Sequence, residues 1–198
     1  MTNRREFLHG ASLAAVPLVA GLPCVAASLA PATPAFHAVL IDDRYAAASV
    51  FGARLAARGE TLRVVPGGNL TYLWLNEIAP AWRRAPVPVA GLTRPAVLFC
   101  LEQLAWAQGL RVVFHAEHVV TPTGAVQHTV QRCAEAGLAL DAGSLVMRGA
   151  LWPSQVADVV ASHGALPRHA AAGPSCSGLA PELAADAELL TSWIIAPA

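Results

Sequence analysis

The residues best placed to do chemistry lie in LRVVFHAEHVV-TPTG-AVQHTV, residues 110–130. Two apolar runs flank a Thr-Pro-Thr-Gly turn, which points to an antiparallel hairpin; a helix over the same residues is the competing reading. With a symmetric turn, Val120 pairs with Ala125 and Glu117 lies opposite His128. Strand side chains alternate between faces, so His115, Glu117 and His128 then share one face and His118 points the other way. Cross-strand neighbours sit ~5 Å apart at Cβ. That is close enough for two imidazoles and a carboxylate to hold one zinc, copper or iron ion, or to pass a proton. HAEH matches neither H-E-x-x-H nor H-x-x-E-H, the zinc-protease patterns. The plainer alternative is a solvated strand face on which His and Glu make ordinary surface contacts.

A second candidate is Asp42-Asp43, which ends the first apolar run at the position where open α/β sheets bind ligands. One Asp capping the next helix and the other solvated is the bland alternative. Pro66-Gly67-Gly68-Asn69 and Gly91-Leu92-Thr93, each read as preceding a helix, are turns able to aim backbone N–H groups at an anion. Neither carries a dinucleotide fingerprint. Glu102, on a helix otherwise apolar, is either a buried carboxylate or the point where that helix meets water. Gly173-Pro174-Ser175-Cys176-Ser177-Gly178 lacks G-x-S-x-G spacing and a preceding strand, so it is no nucleophile elbow. Five tryptophans line an apolar cleft or pack the core. The chain has no lysine, which excludes a Walker A phosphate loop, a pyridoxal Schiff base and a lysine-dependent receiver domain.

Several elements must position these residues. His37–Ile41, an Ala-rich helix and Thr61–Val65 form a βαβ unit with parallel strands. Asn69 caps a helix that Pro80 ends, and Ala85–Ala90, alternating Pro and Val, reads as loop or edge strand. Pro95 opens a helix over 96–108 that is apolar nearly all round and therefore expected to be buried. The hairpin follows, then a turn of helix at 132–136, a strand over 144–151, a helix over 153–162, a long Ala/Pro/Gly/Ser-rich excursion and a last strand at 189–195. The sum is an α/β three-layer sandwich, with a mainly parallel sheet and an antiparallel hairpin or edge.

The first thirty residues, MTNRREFLHGASLAAVPLVAGLPCVAASLA, place Arg4, Arg5, Phe7 and Leu8 before a weakly apolar stretch that ends in small residues. This pattern resembles the bacterial twin-arginine (Tat) export signal, with Asn3 in place of Ser/Thr and His9 in place of Lys. The resemblance implies folding before export, the Tat translocase as a transient partner and a periplasmic destination. Cleavage is expected between Ala26 and Ala35. An uncleaved signal of ~20 residues would instead anchor the protein in the inner membrane. The expected organisation is a signal over 1–30 and one domain over 36–198. At about 165 residues, that domain is large enough to bury a core without staples. Cys100, Cys133 and Cys176 allow one disulfide, of open pairing, and one leftover thiol.

Thirteen basic and thirteen acidic side chains give a net charge of zero, and beyond the signal only Arg83-Arg84 are adjacent. Nucleic acid is therefore an improbable partner. No complete catalytic set is legible. The sequence points to a noncatalytic accessory or ligand-binding protein for an exported redox or catabolic enzyme, since Tat substrates often hold a cofactor or travel with a partner that does. The alternative is a small metal-dependent hydrolase or oxidoreductase on His115, Glu117 and His128, with Asp42 or Asp43 nearby.

Overall fold

The computed structural model describes residues 35–133, 149–164 and 187–197. Arg4, Arg5, Phe7 and Leu8, Cys176 with its loop, residues 134–136 of the expected helical turn, and most of the expected 144–151 strand lie outside the described residues. The end of that strand is instead a short 3₁₀ turn, Gly149–Leu151. Arg132 and Cys133, expected to begin the helical turn, instead end a strand, Val126–Cys133.

Among the described residues, six strands form one sheet in the order β2-β1-β3-β6-β4-β5. The strands are β1 (Ala38–Ile41), β2 (Leu62–Val64), β3 (Val89–Thr93), β4 (Leu110–Val120), β5 (Val126–Cys133) and β6 (Glu188–Pro197). β1 pairs in parallel with β2 and β3. β6 runs antiparallel between β3 and β4, so β3 and β4 point the same way although they do not touch. The helices are α1 (Ala46–Ala56), α2 (Thr71–Leu73), α3 (Ala79–Arg84), α4 (Pro95–Trp106) and α5 (Trp152–Gly164). The architecture is an α/β sandwich with a mixed sheet, parallel on one side and antiparallel at the hairpin edge.

Two buried clusters lie on the two faces of the sheet. One joins Val39, Ile41, Ala90, Leu92, Phe114, Ala116, Leu190 and Ile194 to Phe51 and Leu55 of α1 and Val156 and Val160 of α5. The other joins Leu40, Val89, Leu110, Val112, Trp193 and Ile195 to Ile78, Trp82 and α4. In β4 the cluster changes between Val112 and Phe114, where the pairing with β6 shifts by one residue. This bulge turns the hairpin half of β4 over, so that even-numbered residues beyond it face α1 and α5. Where the chain enters the fold, Glu60 accepts hydrogen bonds from the Ala35 and Phe36 N–H groups at 3.0 and 3.1 Å.

Three elements differ from their sequence reading. The helix expected to stop at Pro80 continues to Arg84, because a π turn over Trp74–Ile78 precedes it. The wider turn accommodates the proline where a regular α-helix would clash with the carbonyl four residues back. Gly91-Leu92-Thr93 is not a helix lead-in but the end of β3, a fully buried central strand. A Cβ on Gly91 would lie 2.6 Å from the Trp193 ring and 2.9 Å from the Leu40 carbonyl oxygen, so only glycine lets Trp193 lie flat on the sheet. Helix α4 is not buried all round: Phe99 and Trp106 face solvent at 63% and 52% exposure.

Candidate functional site

The hairpin turn decides which histidines meet. Gly124 adopts φ +82°, its N–H donates to the Thr121 carbonyl at 2.9 Å, and the Thr121 N–H donates to the Ala125 carbonyl at 2.9 Å. The loop is thus three residues closed by a left-handed glycine, the second common hairpin geometry. Thr121 consequently takes the place across from Ala125 that the symmetric turn had given to Val120. Val120 pairs with Val126, and His118, not Glu117, lies opposite His128. A slip of one residue moves every side chain to the other face. His118 and His128 face α5, and His115 and Glu117 lie on the reverse side of the sheet. The trio expected to share a metal does not converge, and among the described residues no three His, Cys, Asp or Glu side chains are grouped to hold an ion.

What assembles instead is a buried relay. His118 Nδ1 lies 2.8 Å from His128 Nδ1, and His118 Nε2 lies 2.8 Å from Ser192 Oγ. Trp152, the first residue of α5, covers both rings at centroid distances of 4.4 and 5.1 Å. One proton lies between the two Nδ1 atoms, so one imidazole donates and the other accepts. Burial, then the neighbouring His128 and His115 charges, hold His118 well below the ordinary histidine range. Burial alone pushes His128 down to about 4. The connectivity is that of a serine–histidine relay, but Ser192 and His118 have no exposed surface. No substrate atom reaches the hydroxyl, and the network serves to tie β4, β5, β6 and α5 together.

The second site lies at the C-terminal ends of the parallel strands. From β1 the chain passes into α1 on one face of the sheet, and from β3 into α4 on the other. The crevice between two such strand ends is where doubly wound sheets bind ligands. Here it is open, has a volume of about 760 Å³, and is lined by Arg44, Tyr45, Gly67, Gly68, Arg94–Val97 and Ala187–Leu189. Asp42, fully buried beside it, accepts from Arg44 Nε at 2.8 Å and Nη2 at 2.6 Å. The Arg44 hydrogen bonds hold the Asp42 carboxyl below the usual carboxylate range, although burial pushes the other way. Asp43 is exposed. The expectation of an aspartate at the strand end thus locates the crevice, but the aspartate itself is used to fix Arg44. Arg44 and Arg94 belong to no motif in the sequence, where each is one arginine just past an apolar run. The only signal is that both follow strand ends.

Of the remaining candidates, Pro66–Gly68 is a 3₁₀ turn whose glycines line the crevice. Gly91-Leu92-Thr93 has its N–H groups committed to the sheet. Glu102 is half-buried and Cys100 is an exposed free thiol. Trp82, Trp152 and Trp193 are core residues, with Trp74 packed edge-on to Trp82 at 5.8 Å. No helix among the described residues is long and apolar enough to cross a membrane. No protein-family model, curated protein or solved structure matches the chain.

Proposed function

We propose that this chain is a Tat-exported, noncatalytic ligand-binding protein that serves an exported redox or catabolic enzyme, and that its ligand occupies the crevice between the ends of β1 and β3. The observation that carries this reading is the crevice itself, an open cavity at the topological switch with a guanidinium fixed at its rim by a buried carboxylate. The noncatalytic part draws on the burial of Ser192 and His118, whose pairing is the one serine–histidine relay among the described residues. The accessory part draws on α2, the π turn and α4, which share one layer and present Tyr72, Leu75, Phe99 and Trp106 to solvent. Exposed large apolar side chains mark a surface that meets another protein where they form one patch. The export part rests on Arg4, Arg5, Phe7 and Leu8.

Fractionation with native mass spectrometry tests the reading. The wild-type chain should be recovered from the periplasm carrying a small-molecule adduct. An Arg4→Lys, Arg5→Lys variant should stay in the cytoplasm, and an Ala96→Trp variant, which fills the crevice, should be exported without the adduct. Periplasmic recovery of the double-lysine variant at the wild-type level would sink the export claim. An adduct that survives Ala96→Trp, or none in the wild type, would sink the ligand claim.

A further inference from the structure

The crevice lining holds charges of both signs that are not paired with each other. Arg44 is committed to Asp42. Arg94, at the end of β3, and Glu188, at the start of β6, both line the crevice and form no ion pair among the described residues. The lining also includes the apolar side chains of Tyr45, Pro95 and Leu189. The first turn of α4, opened by Pro95, lies on the Arg94 side and adds positive potential of the same sign as the guanidinium.

We infer that the crevice takes a small zwitterion, a molecule with a carboxylate, a cationic nitrogen and an apolar body, such as an α-amino acid with an aliphatic side chain. The carboxylate sits on Arg94, whose planar fork matches it in a two-point hydrogen bond. The cationic nitrogen faces Glu188, and the apolar body lies against Tyr45, Pro95 and Leu189. A simple anion would leave Glu188 opposing it, and a simple cation would leave Arg94 opposing it. A ligand with both charges meets neither penalty, so the crevice discriminates by repulsion as well as by attraction. This inference rests on the crevice being the ligand site.

Calorimetric titration of the purified exported chain at low ionic strength tests it, with L-leucine, isocaproate (the same skeleton without the amine) and isoamylamine (without the carboxylate). Leucine should bind at least about tenfold more tightly than either fragment, one charge-assisted contact being worth roughly that factor. Arg94→Ala should bring leucine down to the level of the amine, and Glu188→Gln to that of the carboxylate. Both side chains are exposed, so the melting temperature should not move in either variant. If isocaproate binds as tightly as leucine and both are lost in Ala96→Trp, the zwitterion is overturned and the crevice stands as a ligand site. Binding of none of the three overturns the zwitterion, while the adduct and its loss in Ala96→Trp decide the ligand site separately.

Discussion

Two imidazoles with Nδ1 atoms 2.8 Å apart under a tryptophan ring make the stability of this protein depend on pH in a direction that can be worked out. In the unfolded chain both histidines titrate near ~6.5. In the folded chain, burial holds protonation off to about 4 at His128 and well below the ordinary value at His118. Above pH ~6.5 both states are neutral and the pair carries no pH-dependent cost. As pH falls below that value, the unfolded chain takes up protons the native state refuses. Stability then declines by ~1.4 kcal/mol per pH unit for each histidine until the folded-state value is reached. Urea unfolding followed by tryptophan fluorescence should therefore show several kcal/mol less stability at about pH 5 than at about pH 7.5. A His128→Gln variant should lose roughly half as much over the same interval. If the variant keeps the full wild-type dependence, the pair is not its source.

At the level of elements, the strands and helices with strong apolar runs and clear punctuation were legible in the sequence: β1, α1 and β2 as a parallel unit, the β4–β5 hairpin, α5 and β6. What escaped depended on contacts that no local pattern encodes. The hairpin register turned on Gly124 adopting a left-handed conformation, and that one residue replaced Glu117 with His118 opposite His128. Strand β3 was hidden because Gly91 and Thr93 read as turn residues, yet each answers Trp193: Gly91 makes room for the ring, and Thr93 Oγ1 accepts from the indole N–H at 3.0 Å. The outer face of α4 could not be told from its inner face, since Phe99 and Trp106 are as apolar as Leu98 and Leu101. The crevice was half legible. The position of Asp42 marked the strand end, but only the strand order 2-1-3 brings the Arg44 and Arg94 loops together. The Gly91 contact is testable. Gly91→Ala places a methyl group against both a buried ring and a backbone carbonyl, neither able to retreat freely, so it should destabilise by about 1–3 kcal/mol. Equilibrium denaturation would measure this, and a variant as stable as wild type would mean that Trp193 does not lie on the sheet there.

For the molecule as a whole, the placement of β6 would tie folding to export on the proposed Tat route. Residues 188–197 follow every other described strand, yet they occupy the middle of the sheet, hydrogen-bonded to β3 on one side and β4 on the other. Without β6 the parallel half and the hairpin half have no shared edge. Both buried clusters lose their central members, Leu190 and Ile194 from one and Trp193 and Ile195 from the other. Pairings so distant in sequence form late, because the closure of a long loop must precede the contacts that stabilise it. A chain threaded unfolded through a membrane would expose two strand edges and two apolar faces before β6 arrived, a state prone to aggregate. On the proposed Tat route, crossing in the folded state would avoid that exposure, a reason for such a signal whether or not the domain holds a cofactor. Deletion of residues 187–198 should therefore abolish both the protease-resistant core and export. Gly91→Ala, which weakens the same sheet without removing a strand, should be exported less in proportion to its lost stability. Pulse-chase fractionation of the three chains measures both effects, and a truncated chain that reaches the periplasm as efficiently as the full one would show that folding around β6 does not gate transport.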